Sequence, residues 1–578
     1  MSQIEINTRK HAPKRGLVFG VVLSIILSAS AIILLFYPFP SNEQVSGFKK
    51  EHPIIYKGGI YERQAKLMNG DIYVPIQFLQ EQIDDSIYFE ESNNSVIVTT
   101  KDKVIQYKNE ELQYFLNEEP FPLEAPVIIS DNGSVYVNTK PLEPLYGFQM
   151  NYKEETGAVI VQINGEKVLP AIVKDDLNKH DKRVRTEQTK TSSYIVELEA
   201  GEIVQVEEDD DDFYYVTTSQ GVRGFIPKKA LEIQESYTHV FELEEKTIPL
   251  SELDTPVNLT WEAVYSTNPK TENLPDMAGV NVVSPTWFSL SNNEGNVRNN
   301  ASYSYVEWAK QNGYHVWALF SNDFDPQRTH EVLQSYDTRQ KVIRQLLEYS
   351  QTYNLDGINV DFENVNVQDG PLVTQFMREL SARMHQAGLT VSMDITFISG
   401  SGNWSMFYER EKLATIVDYL IVMAYDEHWG SSPISGSVSS LPWVENNLQK
   451  LLEVVPNDRL ILAMPLYTRL WKEQETENGN IEVSSKAYSM DSIQQWISEH
   501  NLDLIYDEDS GQNYAEIYIE EEKATYKVWI EDAISLEKRV KLFDKYDLAG
   551  VATWSRYFAS DNIWNDIDRF IQQSDSSN

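Results

Sequence analysis

The chain has 578 residues, more than one hydrophobic core normally supports, so several domains are expected. Its 88 acidic residues against 49 lysines and arginines give a formal charge of -39, which would repel a phosphate backbone and argues against nucleic acid as a partner. The absence of cysteine excludes disulfides and thiolate metal sites, and no histidine–carboxylate spacing indicates a metal, so no cofactor is expected.

The first segment combines positive charge with a long apolar run. Residues 1–15 include four lysines and arginines, and residues 16–37 contain no charged side chain. As a helix, residues 16–37 would span roughly 33 Å at about 1.5 Å per residue, which predicts a single-pass membrane anchor with a cytoplasmic tail. A cleaved signal peptide is the alternative, because residues 29–31 are small. Both interpretations place the rest of the chain outside the cytoplasm.

Residues 50–165 contain a sequence repeat with a constant offset of 63 residues. Tyr73-Val74 returns as Tyr136-Val137, and the strand-like residues 96–98 return as residues 159–161. Each repeat is predicted to be α+β, with a strand, a short helix and a β-hairpin. The pair resembles the repeat named after the N-terminal domain of copper amine oxidases, common as a stalk in surface proteins of Gram-positive bacteria. We therefore interpret it as a spacer without copper chemistry.

A second small domain is predicted at residues 180–234. Short strand-like stretches, such as residues 213–216 and 221–227, alternate with turns. Their order resembles bacterial SH3 domains, which implies a small all-β barrel that binds the cell wall, with a purely structural role as the alternative. The acidic residues 207–212 are interpreted as a solvated hairpin tip, and a calcium site is the alternative.

Residues 255–572 alternate between buried strands and amphipathic helices, as parallel βα units do. The predicted strands are residues 257–264, 280–285, 315–320, 355–362, 389–395, 419–424, 460–465 and 548–553. Eight such strands predict a (β/α)8 TIM barrel, with an α+β insertion between residues 470 and 529. A doubly wound open sheet is the alternative, but no glycine-rich phosphate loop follows the first strand.

The strongest chemical signal lies in the fourth predicted strand. Alternation along a strand places Asn359, Asp361 and Glu363 on one face. The apolar residues between them must pack on helices, so the three polar groups point into the barrel and approach its C-terminal rim, where active sites of this fold lie. Burying two like charges is costly unless they serve a function, and the pair therefore indicates a catalytic site.

Residues 356–363 resemble the signature of family 18 glycoside hydrolases, Asp-Gly-x-Asp-x-Asp-x-Glu, with Asn359 in place of the middle Asp. Further matches in the same order are Met423-Ala424-Tyr425-Asp426, Pro465-Leu466-Tyr467 and Trp554. The resemblance implies a substrate-assisted, retaining hydrolase of β-1,4 bonds in a glycan that contains N-acetylglucosamine. Peptidoglycan or spore cortex is the first expected substrate and chitin the second.

The family pattern also implies a role for each matching residue. Glu363 would be the catalytic acid and base, Asp361 would hold the acetamido N–H, and Tyr425 would donate to the acetamido carbonyl. Asn359 is expected to orient Asp361 by a hydrogen bond, while its missing charge would weaken the upward shift in the pKa of Glu363. The residues expected to bind substrate are Asn359, Met423, Asp426, Tyr467 and Trp554.

Some further residues have both a functional and a structural interpretation. Tryptophans near loop ends are candidate platforms for sugar rings, with core packing as the alternative: Trp287, Trp404, Trp429 and Trp443. Glu379 is expected on an outer helix where substitution is silent. The competing function is a non-catalytic protein that binds chitin or peptidoglycan on the same barrel. Such relatives usually lack the acid that Glu363 would supply.

Overall fold

The computed structural model describes residues 15–36, 39–109, 111–131, 133–241, 253, 256–476 and 478–575. The chain divides into two compact units, one from residues 1–84 and 127–245 and the other from residues 85–126 and 246–578. The repeat region at residues 50–165 thus contributes to both units. The predicted catalytic region belongs to the second unit.

The first unit begins with the α-helix Arg15–Phe36. No helix within the described ranges meets both the length and the hydropathy that crossing a membrane requires. The transmembrane anchor predicted at residues 16–37 is therefore not supported by the structure.

Two four-stranded sheets carry the part of the repeat region that lies in the first unit. The strands, in spatial order, are Phe148–Tyr152, Val159–Ile163, Pro53–Tyr56 and Gly59–Gln64 in one sheet, and Ile128–Asp131, Ser134–Asn138, Asp71–Pro75 and Lys66–Met68 in the other. The helices Ile76–Gln82 and Glu143–Tyr146 follow equivalent strands. Val74 pairs with Val137 in antiparallel register. Because these two positions are equivalent in the repeat, a local two-fold axis relates the two strands.

A seven-stranded antiparallel sheet is the largest sheet of the first unit. Its strands, in spatial order, are Tyr194–Glu197, Arg183–Arg185, Arg223–Pro227, Phe213–Thr218, Ile203–Asp210, Pro170–Val173 and Leu231–Ile233. A small core that includes Val204, Val216 and Ile226 fills the sheet. The acidic run is part of a strand as far as Asp210, so the hairpin tip is shorter than predicted.

Eight parallel strands close into a barrel in the second unit, which confirms the predicted TIM barrel. They are β1 (Val257–Glu262), β2 (Val282–Pro285), β3 (His315–Ser321), β4 (Gly357–Asp361), β5 (Thr390–Ile395), β6 (Tyr419–Met423), β7 (Leu460–Pro465) and β8 (Gly550–Trp554). β1 pairs with β8, and β2 pairs with β3, so the ring has no open edge. Apolar side chains of the strands pack outward against helices, while a smaller cluster around Trp261 fills the interior.

The helices around the barrel are Tyr303–Gln311, Pro326–Leu333, Tyr336–Tyr353, Gly370–Gln386, Arg410–Ile416, Leu441–Leu451, Ala533–Lys545 and Ile563–Asp575. Between β1 and β2 the structure has a short 3-10 turn, Thr271–Asn273, and the hairpin Phe288–Leu290 and Val297–Asn299 follows β2. The insertion lies where the sequence predicts it. It contains the helix Met490–Glu499 and a sheet of Ile481–Ser489, Tyr467–Glu475, Ala524–Ile530, Gln512–Ile519 and Ile505–Asp507.

A five-stranded antiparallel sheet from the repeat region also belongs to the second unit. Its strands are Tyr88–Glu90, Ser95–Thr99, Val104–Lys108, Gln113–Leu116 and Glu119–Pro122. Ile97 and Val104 on this sheet pack against Tyr336 and Ala382, which lie on two adjacent barrel helices. This sheet therefore covers part of the outer surface of the barrel.

Candidate active site

The motif found in the sequence lies on β4 and in the loop after it. Asn359 lies within the strand, Asp361 ends it, and Glu363 follows two residues later. The apolar residues that alternate with them, Ile358, Val360 and Phe362, belong to the core between barrel and helices. This alternation turns the polar residues into the barrel, as predicted.

Asp356 lies at the opposite end of β4 from the catalytic rim. Its carboxylate pairs with the Lys310 ammonium and accepts the backbone N–H of Val316 at 2.8 Å. Val316 lies on β3, so Asp356 ties two neighbouring strands together. These contacts give Asp356 a structural role.

Two hydrogen bonds fix the backbone of Glu363. Its N–H donates to Asn322 Oδ1 at 3.1 Å, and Asn322 Nδ2 donates to the Glu363 carbonyl at 2.7 Å. Asn322 follows β3 and is fully buried. Burial, and then the negative charges of Asp361 and Asp426, raise the pKa of Glu363 well above its ordinary value. The carboxyl therefore keeps a proton to higher pH than an exposed glutamate, as a general acid requires.

Asp361 has an unused acceptor. Its Oδ1 is buried and forms no hydrogen bond with any described group. Burial raises the pKa of Asp361 to about 7. An unpaired oxygen in such a position is costly, so it indicates a place for a ligand donor.

The Asn359 amide is saturated. It bonds four groups on β1, β2 and β5: Trp261 Nε1 (2.9 Å) and Ser284 Oγ (3.1 Å) donate to its oxygen, and its nitrogen donates to Ser392 Oγ (3.1 Å) and Asp394 Oδ1 (2.8 Å). A side-chain amide forms four hydrogen bonds, so none remains for Asp361. The expected bond from Asn359 to Asp361 is therefore wrong. Asn359 is also fully buried, which leaves it no surface toward a substrate.

Asp394 joins this cluster from β5, and it was not identified from the sequence. It is 2% exposed and accepts the hydrogen bond from Asn359. Burial, followed by the charge of Asp361, raises the pKa of Asp394 well above its ordinary value. The available signal was an acid at the end of an apolar strand, two positions after Ser392 on the same face.

Tyr425 contributes a hydroxyl group from the loop after β6, and Tyr467 contributes one from the first residue of the insertion strand Tyr467–Glu475. Burial raises the pKa of Tyr425 well above its ordinary value, so its phenol remains a donor at neutral pH. The Tyr467 hydroxyl donates to Asp426 Oδ1 at 2.5 Å, and Arg469 Nη2 lies 3.7 Å from the same oxygen. Asp426 has a φ of 60°, a left-handed conformation, and its side chain is partly exposed.

Trp554 ends β8 and lies half-buried beside Trp261, with the ring centroids 5.7 Å apart. It packs with Tyr425 on the apolar cluster inside the barrel. Met423 ends β6 and is also half-buried. The structure therefore places the residues of the family pattern, except the enclosed Asn359, around the C-terminal rim of one barrel.

The four candidate tryptophans fall into two groups. Trp404 and Trp429 are 46% and 51% exposed, in the loops after β5 and β6. Trp287 is 1% exposed and donates to Asn268 Oδ1 at 2.7 Å, while Trp443 packs on the core. The stacking role considered for Trp287 is therefore wrong, because no ring face is accessible.

Phe324, which was not identified from the sequence, is exposed in the loop after β3. Its ring centroid lies 6.4 Å from that of Trp404. Over the described ranges, no group of three or more histidine, aspartate or glutamate residues is arranged to hold a metal ion. Carboxyls, hydroxyls and aromatic rings are among the groups that the rim offers to a ligand.

Comparison with known families confirms the three resemblances predicted from the sequence. The profile described as Glycosyl hydrolases family 18 matches residues 263–559. The profile described as Copper amine oxidase N-terminal domain matches residues 57–161, and the one described as Variant SH3 domain matches residues 181–234.

Individual proteins are also similar to part of this chain. The uncharacterized glycosylase YvbX of Bacillus subtilis is 24% identical over 299 residues, which are 50% of this chain and 84% of that protein. The cortical fragment-lytic enzyme of Bacillus subtilis is 23% identical over 236 residues, 40% of this chain, so the chain spans 54% of that relative. The C-terminal domain of a candidate chitinase from Desulfitobacterium hafniense DCB-2 has the same fold, with a TM-score of 0.50, 22% identity, and coverage of 56% of this chain and 99% of that one.

Proposed function

Because the chain belongs to family 18 of the glycosyl hydrolases, we propose that this glycosidase cleaves β-1,4 bonds next to N-acetylglucosamine in peptidoglycan or spore cortex. Chitin is the second proposed substrate. The relative named cortical fragment-lytic enzyme supports the order of these two glycans. The formal charge of -39 also favours a neutral or cationic glycan over a polyanion.

One observation carries the proposal: a carboxyl with a raised pKa lies beside a second carboxyl that has a buried, unpaired oxygen. Glu363 supplies the proton for the leaving glycosidic oxygen, since burial and its acidic neighbours keep it protonated. Asp361 Oδ1 has no donor within the protein and is therefore free to accept the N–H of the substrate's acetamido group.

The reaction then follows in two steps. The acetamido oxygen attacks C1 while the bond from C1 to the leaving oxygen breaks, and that oxygen takes the proton of Glu363. Tyr425 donates to the acetamido oxygen and holds it in line with C1. Water next attacks C1 of the oxazolinium intermediate while the bond from C1 to the acetamido oxygen breaks, which regenerates the acetamido group. The water gives a proton to Glu363, so the acid is restored and the β configuration is retained.

The charges of the site favour the intermediate. None of the ion pairs in the described part of the chain includes Asp361, Glu363 or Asp394, although all three are buried or half-buried. A positive charge that develops on the substrate therefore compensates the Asp361 carboxylate, which forms no ion pair with the described residues. Preorganised negative charge in a site with little water stabilises such an intermediate strongly.

The mechanism is tested with matched glycans. Purified residues 39–578 are incubated with peptidoglycan, with chitin oligomers, and with the same oligomers after complete removal of the acetyl groups. We expect mass spectrometry to find products with a new reducing end from acetylated glycans only, because the nucleophile belongs to the substrate. Comparable rates on acetylated and deacetylated chains would contradict the mechanism.

A glycan-binding protein without activity is the alternative function. The presence of Glu363, Asp361 and Tyr425 around one rim favours hydrolysis. Retention of glycans by the purified chain without any new reducing end, across the acetylated substrates, would favour the alternative.

We also propose that the chain acts at the cell surface, held to the wall by the SH3-like region at residues 180–234. The match to the SH3 profile and the location of peptidoglycan support this proposal. Sedimentation with purified cell walls should retain the full chain and lose a variant without residues 180–234. Equal retention of the two proteins would contradict the attachment through residues 180–234.

A further inference from the structure

The first observation is the pairing of β4 with β5. Asn359 pairs with Ser392, and Val360 pairs with Met393, in parallel register. The next pair in this register is Asp361 and Asp394. Paired residues of adjacent parallel strands point to the same side, about 4.8 Å apart. Two carboxyls therefore lie side by side inside the barrel.

The second observation is that Asp394 is held in place. Its Oδ1 accepts from Asn359 Nδ2 at 2.8 Å, and the Asn359 amide is fixed by three further hydrogen bonds. Asp394 is 2% exposed, so water does not stabilise its charge. No ion pair in the described ranges compensates it.

The third observation concerns the groups that face this carboxyl. Asp361 and Glu363 come from β4 and the loop after it, Tyr425 from the loop after β6, and Tyr408 from the loop after β5. None of these is a cation, and several like charges this close cannot all ionise. Burial, and then Asp361, raise the pKa of Asp394 well above its ordinary value, whereas the pKa of Asp361 is raised to about 7. Asp394 is buried whereas Asp361 is only half-buried, so a negative charge costs more on Asp394, and Asp394 keeps the proton.

We propose that Asp394 is a positioning residue of the catalytic site, whose protonated carboxyl lies beside Asp361 and keeps the negative charge on Asp361. The inference rests on the proposed hydrolase function. Asn359, at the position where the family signature has an acid, cannot share a proton. Asp394 supplies that acid from the neighbouring strand, and the amide of Asn359 holds it there.

Two substitutions test the role. Asp394→Ala removes the carboxyl and should lower kcat by about 10- to 100-fold with KM within about threefold, because Asp361 loses its neighbour. Asp394→Asn imitates a neutral acid: its oxygen can accept from Asn359 and its N–H can face Asp361. It should retain kcat within about threefold at neutral pH. Its activity at alkaline pH should differ from the wild type, because residue 394 no longer ionises.

The outcomes separate clearly. An Asp394→Asn variant as impaired as Asp394→Ala would overturn the proposal, since an ionised carboxylate would then be required. Full activity of Asp394→Ala would place Asp394 outside the catalytic site and would overturn it as well. If Asp394→Ala does not fold, the kcat of Asp394→Asn at neutral pH and its pH profile still test the proposal. A loss of kcat greater than about threefold at neutral pH would overturn it.

An infrared difference spectrum gives a readout that needs no substrate. Subtraction of the Asp394→Asn spectrum from that of the wild type at pH 7 should leave the band of a protonated carboxyl, and its absence would contradict the proposal. The same difference taken with the spectrum of a Glu348→Gln variant, at an exposed position, should show no such band. If this band is present while the wild type cleaves no glycan, the hydrolase function fails and the protonated Asp394 stands.

Discussion

Two groups of buried acids in the second unit differ in what faces them. On the outside of the barrel, the buried Arg339 guanidinium bonds Glu379 Oε1 at 2.8 Å and Glu90 Oε2 at 2.9 Å. Inside the barrel, Asp361 and Asp394 face only other acids and neutral groups. The same kind of side chain is thus compensated in one place and uncompensated in the other.

This difference in compensation corresponds to two different roles. A buried acid paired with arginine stays ionised, and removal of one partner leaves a charge in the core, so such a cluster holds segments together. A buried acid without a cation keeps its proton instead, which costs stability but provides a group for proton transfer. The outer cluster joins the five-stranded sheet to the barrel, and the inner cluster forms the proposed catalytic site.

Glu379 corrects one expectation from the sequence. It was expected on an outer helix where substitution is silent, but it is fully buried and also accepts from Gln340 Nε2 at 2.9 Å and Gln375 Nε2 at 2.9 Å. The reason is the sheet that covers this face: Glu90 is 249 residues away from Arg339 in sequence. Substitution of Glu379 is therefore not silent, and Glu348 is the better control because it lies exposed.

The largest expected effect is on catalysis. Glu363→Gln nearly preserves the side-chain shape but removes the proton donor, so kcat on acetylated oligomers should fall by about 10²–10⁴-fold. Stability should not fall, because the substitution removes an uncompensated buried acid. Thermal unfolding and kcat are measured together, with Glu348→Gln as the control. Activity within about threefold of wild type would show that the acid is misplaced.

Arg339→Met tests the compensated cluster. It leaves Glu379 and Glu90 buried without a cation, so the free energy of unfolding should fall by about 3–5 kcal/mol. Turnover per folded molecule should not change, since the cluster lies outside the barrel. Urea denaturation measures the loss, and Arg569→Met, at a surface pair with Asp566, should cost less than about 1 kcal/mol. A loss no larger than that of Arg569→Met would remove the structural role of this cluster.

The pH dependence of stability tests the uncompensated cluster. The pKa of Asp361 is raised from 3.8 to about 7, so the folded chain binds more protons than the unfolded chain between these values. Its contribution to stability is present below pH 4 and is lost as pH rises through about 7, by about 1–4 kcal/mol. Asp361→Asn should remove this contribution. Urea denaturation of both proteins at pH 5 and pH 8 measures it, and parallel slopes would contradict the raised pKa.

The smallest expected effect is at the edge of the outer interface. Gln386 Oε1 accepts from Asn117 Nδ2 at 2.7 Å on the exposed rim of the sheet. Water can replace this hydrogen bond, so Gln386→Ala should lower the free energy of unfolding by about 0.5–1.5 kcal/mol. A loss as large as that of Arg339→Met would mean that the rim, rather than the buried charges, holds the sheet.

The sequence by itself determined the barrel and the direction of its catalytic strand. Strand periodicity is local, so alternation alone indicated that Asp361 and Glu363 share a face. The spacing of buried strands likewise located β1 to β8 and the insertion, because each βα unit repeats the same pattern.

Only the tertiary structure decided what surrounds each acid. Asn322 and Asp394 come from neighbouring strands and Glu90 from a distant sheet, so no local pattern shows that they contact Glu363, Asn359 and Arg339. Glu379 was expected on an outer helix where substitution is silent, yet the sheet that carries Glu90, far away in sequence, covers it. Burial and the sign of the nearest charge set a carboxyl's pKa, and both depend on which distant residues the fold brings together.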